Sequence, residues 1–241
     1  DRWFYMPLIG LLGTLGIFYN LLHVQKKMVR IQVAIGIVLI MLLGVRTIAR
    51  NANWTDSLTL YTHDEKGTQS YDLENSLATQ LMQIGDTHGA FIHEQLSVSL
   101  FPGQINQGNL AVLYQRAGDL QTAGKYFAKA FSPAVDTMNT FHHDPRTLVY
   151  YEEFLSVYRD PEEAISSLRR AVIEYPKLSE LWVCLALAEY RAHDYLSAEK
   201  AIDSAFSFSP SLEIYTIKNQ IYQRQAVEID MLATGKQVKI Q

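Results

Sequence analysis

Residues 161–210 read PEEAISSLRRAVIEYPKLSELWVCLALAEYRAHDYLSAEKAIDSAFSFSP, and the same four landmarks occur in them twice. Alanine allows one helix to approach its neighbours closely, a large apolar side chain fills the space between the helices, and proline ends a helix. The spacing of these residue types therefore predicts a repeated helix-turn-helix unit. The landmarks recur after 34 residues, as Ala164, Leu168, Ala171 and Pro176 and then as Ala198, Ile202, Ala205 and Pro210.

This 34-residue period resembles that of the tetratricopeptide repeat, a helix-turn-helix unit that stacks into a superhelix. The pattern extends upstream, although Glu94 occupies a position where that family carries a large apolar residue. The resemblance implies an all-α fold, a right-handed α-solenoid of four repeats over residues 71–212 with an insertion near residues 133–143. The alanines expected where the two helices of each repeat meet are Ala90, Ala123, Ala164 and Ala198.

Two kinds of signal mark where helices begin and end. Asp144 and Asp160 each precede a proline, which predicts an N-cap followed by proline at the first helical position. After Pro210, apolar residues continue with helical spacing among polar ones. This pattern predicts a capping helix and tail over residues 213–241, with the helix ending near Gly235.

The first fifty residues have a different composition from the rest of the chain. They contain one acidic and six basic residues, and the stretches Trp3–Leu22 and Ile31–Val45 carry no charge. Twenty apolar residues in a helix are enough to cross the hydrocarbon core of a bilayer, about 30 Å thick. We expect two transmembrane helices with a short basic loop over residues 1–50, and a hairpin buried in a globular protein is the alternative.

The basic loop also predicts topology. Short loops rich in lysine and arginine remain on the cytoplasmic side of a membrane, so we expect Lys26 and Lys27 to face the cytoplasm. The repeats would then lie on the extracytoplasmic side, which is the periplasm, the cell surface or an organelle lumen. The sequence opens with Asp1 and no initiator methionine, which indicates a piece of a longer protein.

Two short motifs flank the apolar hairpin and resemble those of a known family. Residues 1–7 read DRWFYMP and residues 50–56 read RNANWTD, the second at the start of a junction over residues 51–70. In this order, followed by repeats, they resemble the C-terminal part of GT-C type (mannosyltransferase-like) integral-membrane glycosyltransferases, although Trp3 replaces the usual tyrosine. In such enzymes the transferring carboxylates lie in an early extracytoplasmic loop, which this chain does not contain.

The resemblance leaves two functional classes open. In the first, the chain is the C-terminal region of a membrane glycosyltransferase that uses a lipid-linked sugar, and its repeats recruit acceptor or partner proteins. In the second, it is a membrane-anchored repeat adaptor with no enzymatic role. Under the first, Arg2 could contact the phosphate of the lipid-linked donor, and an anchor at the membrane interface is the alternative.

We expect no catalytic residue, metal or cofactor in this chain, because no grouping of histidine, cysteine or carboxylates forms a credible set. In His142-His143-Asp144, adjacent side chains rarely converge on one ion, and Asp144 has a capping role. His88, His93 and Glu94 are interpreted as turn and solvated helix positions. Acidic residues outnumber basic ones after residue 50, which argues against nucleic acid as a partner.

The expected partner is a protein or peptide in the groove of the repeats. By resemblance to tetratricopeptide-repeat proteins, first-helix positions line the concave wall, with solvated surface as the alternative for each. These residues lack the lysine and asparagine pattern of repeats that hold chaperone C-termini. The candidate groove residues are Asn75, Thr79, Val112, Gln115, Val149, Glu153, Val183, Leu187 and Tyr190.

Overall fold

The computed structural model of the chain describes residues 9–14, 16–17, 26–51, 54–132 and 143–240. These residues belong to two compact units, Asp1–Leu60 and Tyr61–Gln241, which are described separately. Arg2 lies outside the described residues, as do most of the insertion and the ends of the first predicted span.

The first unit contains the long helix α1 (Lys26–Asn51). Its segment Arg30–Ala49 has a mean hydropathy of 2.3 and no buried residue, and it is the one helix among the described residues that is long and apolar enough to cross a membrane. Residues 9–14 and 16–17 are also helical and exposed.

The placement of the basic residues corrects one expectation. Lys26 and Lys27, predicted in a loop, lie in the first turn of α1. No glycine or proline separates them from the apolar run, and lysine, glutamine, methionine and arginine are all good helix formers. The helix therefore begins within the basic segment and continues into the apolar one.

The junction contains the short helix α2 (Ser57–Glu65). Its N-terminus is fixed by Asp56, whose carboxylate accepts a hydrogen bond from the backbone N–H of Thr59 at 2.8 Å. Hydrogen bonds from the backbone and side chain of Thr59 lower the pKa of Asp56.

Four helix pairs follow, and their cores confirm the repeat pattern. All four inter-helix alanines have no exposed surface, and Leu168 and Ile202 are also fully buried. The solenoid predicted from the 34-residue spacing is therefore the observed fold. The pairs are α3 (Tyr71–Gln83) and α4 (Thr87–Leu100), α5 (Gln104–Ala117) and α6 (Leu120–Ala130), α7 (Pro145–Tyr158) and α8 (Pro161–Glu174), and α9 (Ser179–Arg191) and α10 (Tyr195–Phe208).

Aspartate begins the second helix of every repeat. The side chains of Asp86, Asp119, Asp160 and Asp194 each accept a hydrogen bond from a backbone N–H in the following turn. Such N-caps satisfy donors that have no partner within the helix. The first helix of the third repeat has the same device, because the Asp144 carboxylate accepts from the N–H of Thr147 at 2.8 Å. The two caps predicted from sequence are confirmed.

Glu94 was interpreted as a solvated helix position, and this interpretation is wrong. The residue has no exposed surface, and neither of its carboxylate oxygens has a hydrogen-bond partner. Burial raises the pKa of Glu94 from 4.5 to about 9, so the side chain is a neutral acid at neutral pH. The repeat pattern places a core residue at this position. Glu94 is therefore buried, although a carboxylate is more stable in water.

The C-terminal region differs from the expected long capping helix. Helix α11 (Leu212–Tyr222) ends thirteen residues before Gly235, and an antiparallel hairpin follows, with strands β1 (Val227–Asp230) and β2 (Gln237–Ile240). In β1, buried and exposed residues alternate with the period of a strand. Gly235 has φ 63° and lies in the hairpin turn, so it does not cap a helix.

Candidate functional site

The tip of the C-terminal hairpin (residues 227–240) contacts the first helices of the repeats. The carboxylate of Glu153, in α7, accepts hydrogen bonds from the backbone nitrogens of Leu232 at 2.6 Å and Ala233 at 3.0 Å. We call the surface formed by Gln115, Glu153, Val183, Leu187 and Tyr190 the first-helix groove. All five are among the groove residues predicted from sequence, and the structure brings them together around the hairpin and the segment that leads into it.

Met231 anchors the tip of the hairpin through its side chain. It is 1% exposed, and its sulfur accepts from the Tyr158 hydroxyl at 3.3 Å and from the Gln115 amide at 3.9 Å. A thioether fits an irregular apolar space well, and its sulfur is a weak acceptor for the two donors beside it. The second repeat and the third repeat thus share one buried side chain.

The hairpin main chain is also bound from the second repeat. The guanidinium of Arg116 donates to the carbonyl of Ala233 at 3.0 Å, and the Lys236 ammonium donates to the Arg116 carbonyl at 2.9 Å. Sequence reasoning missed both Arg116 and Tyr158. Neither has a local signal, because each acquires its role only when a segment more than seventy residues away reaches it.

The segment that connects α11 to β1 is held by the fourth repeat. The Tyr190 hydroxyl donates to the carbonyl of Gln225 at 2.8 Å. The Arg224 guanidinium lies 4.0 Å from the ring centroid of Tyr195, a cation–π distance. These contacts direct the chain from the capping helix back into the groove.

A cavity of about 280 Å³ remains between the hairpin and the groove. Val183 and Leu187 contribute apolar surface to it, together with Ile214 of α11 and Ile229 of the hairpin. Carboxylates of Glu153, Glu180, Glu213 and Asp230 also line it. The cavity therefore combines apolar walls with acidic groups.

Burial shifts the pKa values of two residues at the cavity, Glu153 and Cys184. It raises the pKa of Glu153, although the backbone hydrogen bonds from Ala233 and Leu232 act in the opposite direction. Burial also raises the pKa of the Cys184 thiol, and the nearby charges of Glu153 and Glu152 add to this effect. Cys184 is therefore a buried, unreactive thiol and part of the packing.

The other predicted groove residues contribute to the repeat framework. In the first repeat, the Asn75 side-chain oxygen accepts from the Asn109 amide at 2.8 Å, and the Thr79 hydroxyl donates to the Asn75 carbonyl at 2.9 Å. Val112 and Val149 are buried in the hydrophobic cluster that also contains Ala233 and Ile240 of the hairpin.

The histidine pair in the insertion has a structural partner. His143 Nδ1 lies 2.9 Å from the Glu174 carboxylate, and Asp144 caps α7, while His142 lies outside the described residues. A different set of possible metal ligands, Glu65, Glu74 and His93, lies at the start of the repeats.

The fold is similar to solved tetratricopeptide-repeat structures. MamA from Desulfovibrio magneticus RS-1 superposes with a TM-score of 0.55 at 14% identity, covering 65% of this chain and 86% of that chain. YrrB, a TPR protein with an unusual peptide-binding site, gives 0.53 at 13%, covering 70% and 84%. PilF of Pseudomonas aeruginosa gives 0.55 at 21%, covering 64% and 68%.

These similarities define the class of the molecule. At such identities they show the fold, an all-α solenoid of tetratricopeptide-repeat type. No protein-family model matches the chain, and no curated protein matches it in sequence.

Proposed function

We propose that the chain is a scaffold that binds a polypeptide segment in the first-helix groove. The observation that carries this proposal is that the groove already holds polypeptide. Glu153 binds two backbone N–H groups and Arg116 binds a backbone carbonyl. Contacts to main-chain atoms are available to any segment that presents a turn of the same shape, so they suit a protein partner. The similarity in fold to a peptide-binding TPR protein agrees with this.

The hairpin then acts as a resident occupant of the groove. A partner either displaces it or binds in the cavity beside it. Displacement exposes the apolar surface that the hairpin now covers. It also exposes Met231 and Ala233 of the hairpin itself, which are each 1% exposed when docked. A partner that displaces the hairpin therefore binds more weakly than it would bind an empty groove. Its apparent Kd equals the Kd for the empty groove divided by the fraction of molecules in which the groove is open.

The test compares the full chain in detergent with a variant that lacks residues 226–241. A fluorescent peptide of residues 226–240 is the probe, measured by anisotropy. We expect it to bind the truncated variant, and to bind the full chain at least about tenfold more weakly because the resident hairpin competes. Glu153→Gln in the truncated variant should weaken binding, while Glu163→Gln, at an exposed carboxylate of α8, should not.

The same truncated variant serves to find partners. Peptides selected on it by display should compete with the hairpin probe. If the probe does not bind, and no selected peptide depends on Glu153, the groove is not a polypeptide-binding site.

We also propose that the chain is the C-terminal part of a GT-C type membrane glycosyltransferase, with its repeats on the extracytoplasmic side. The motifs at residues 1–7 and 50–56 and the apolar segment Arg30–Ala49 support this proposal. The repeats would bring acceptor protein to the active site and raise its effective concentration there. The second candidate, a membrane-anchored adaptor without an enzyme, has the same anchor and groove.

Sugar transfer by the parent protein separates these candidates. Deletion of residues 61–241 should raise the acceptor KM or abolish transfer without loss of expression. Transfer that is unaffected by the deletion would contradict recruitment by the repeats, and a parent without transferase activity would favour the adaptor.

Topology is tested by labelling Lys27→Cys and Ser207→Cys with an impermeant thiol reagent. Cys184 is 4% exposed, so it contributes little background. In intact cells we expect Ser207→Cys to react and Lys27→Cys to remain unlabelled, and the opposite pattern would reverse the orientation.

A further inference from the structure

Three side chains with metal-ligating atoms meet at the start of the repeats. Glu65 is the last residue of α2, Glu74 lies in the first turn of α3, and His93 lies on α4. Their ligand atoms lie within 4.8 Å of one another. His93 Nδ1 is 2.7 Å from Glu74 Oε2 and 4.0 Å from Glu65 Oε1. We call these three residues the α2–α4 cluster.

The burial of Glu74 leaves a polar group without a partner. The residue is 1% exposed, and its Oε1 atom is buried without a hydrogen bond. A buried carboxylate is costly unless a cation or several donors compensate its charge. In the part of the chain that the structure describes, His93 is the sole ion-pair partner of Glu74.

Glu65 adds a second negative charge in an unfavourable place. A carboxylate at the C-terminus of a helix lies at the negative end of the helix dipole, where a cation is preferred. Two carboxylates therefore share one histidine, which supplies at most a single positive charge. The position of Glu65 and the unpartnered oxygen of Glu74 are separate observations, and both call for an added cation.

We infer that the α2–α4 cluster binds a divalent transition-metal ion, and that its donor set favours Zn²⁺. One imidazole nitrogen and two carboxylate oxygens are common zinc ligands, whereas Mg²⁺ and Ca²⁺ prefer oxygen alone. The ion replaces the hydrogen bond between His93 and Glu74 and takes water as its fourth ligand. The side chains of His93 and Glu65 are 20% and 36% exposed, which leaves an entry path.

A bound ion would fix the last turn of α2 against α3 and α4. Sequence spacing did not reveal the site, because its ligands come from three helices and His93 and Glu74 lie 19 residues apart. His93 and Glu74 lie on different helices, so they come into contact only when the repeat folds.

The test uses the full chain in detergent after removal of metals with a chelator. Zinc binding is measured by calorimetry, and Co²⁺ serves as a spectroscopic probe of coordination. We expect one saturable Zn²⁺ per chain and a Co²⁺ spectrum typical of four ligands. Loss of a direct ligand in Glu65→Gln or His93→Gln should weaken binding by more than about tenfold, since even outer-shell partners contribute that much.

His88→Gln is the matched control, because His88 is exposed on the same helix and lies outside the cluster. It should bind Zn²⁺ as the unchanged chain does. Should His93→Gln fail to fold, Glu65→Gln decides, because it changes a residue at the edge of the site. Zn²⁺ should raise the Tm of the unchanged chain and of His88→Gln more than that of Glu65→Gln. No saturable Zn²⁺ binding, or equal binding by Glu65→Gln and His88→Gln, would overturn the inference and leave an ion pair of His93 with Glu74.

Discussion

The Glu153 carboxylate lies 2.6 Å from the backbone nitrogen of Leu232, a residue 79 positions later in the chain. The same carboxylate accepts the next N–H, that of Ala233. Two adjacent main-chain donors on one buried acid fix both the position and the orientation of the hairpin tip. Occupation of the first-helix groove therefore depends strongly on this residue.

Glu153→Gln should loosen the hairpin. A glutamine offers one acceptor oxygen for two donors, because its NH2 group cannot accept a hydrogen bond from either backbone N–H. We expect the docking of the hairpin to weaken by about 1–3 kcal/mol. Hydrogen exchange at Leu232 and Ala233 measures this, with the amides of α10 as an internal reference and Glu163→Gln as the control. Unchanged protection at the tip would contradict the role of Glu153.

Met231→Ala should have a comparable effect through packing. Removal of a fully buried methionine side chain leaves a cavity and typically costs about 2–5 kcal/mol. Leu232→Ala is the matched control, because that side chain is 51% exposed and its backbone N–H remains. Limited proteolysis of residues 223–226 reports the opening of the hairpin. Equal cleavage of the two variants would mean that Met231 is not the anchor.

Glu94 should make stability depend on pH. Its folded pKa of about 9 lies above the usual 4.5, so the folded state keeps a proton that the unfolded state releases. The contribution of Glu94 to stability is therefore fully present below about pH 4.5 and is lost as pH rises towards about 9. Urea unfolding of the fragment 61–241 across this range should show the decline, and Glu94→Gln should reduce it.

Glu94→Leu should stabilise the same fragment at pH 7, by about 1–3 kcal/mol, because the protonation cost disappears and apolar contact replaces it. Glu213→Gln, at an exposed carboxylate, is the control and should change little. A destabilised leucine variant would show that the buried acid has a partner after all.

Ala205→Leu should destabilise the repeats by about 1–3 kcal/mol, because Ala205 has no exposed surface and the added atoms overpack the helix interface. Ser207→Leu places the same residue at an exposed position of α10. Its Tm should stay close to that of the unchanged chain. If the two variants melt alike, the helix interface is not at Ala205.

The sequence was most informative where a pattern repeats. The 34-residue period predicted the helix pairs and the buried alanines between them, and the two Asp-Pro pairs predicted the caps at Asp144 and Asp160. The hairpin was missed because Val227–Asp230 is too short to distinguish a strand from a helix by periodicity. Glycine is common both after the last turn of a helix and in a hairpin turn, so Gly235 could not distinguish the two from sequence. The roles of Arg116 and Tyr158 depend on contacts across the whole domain, which no local pattern contains.

The C-terminal hairpin has a consequence for how the repeats fold. In a solenoid, each unit couples to its neighbours only, so unfolding can begin at one end and stop part of the way along. Here one segment bonds to the second, third and fourth repeats, through Gln115, Glu153 and Tyr190. These contacts join residues up to 116 positions apart, which raises the contact order and slows folding. We expect repeats two to four to unfold in a single cooperative transition, while the first repeat opens separately and at lower denaturant.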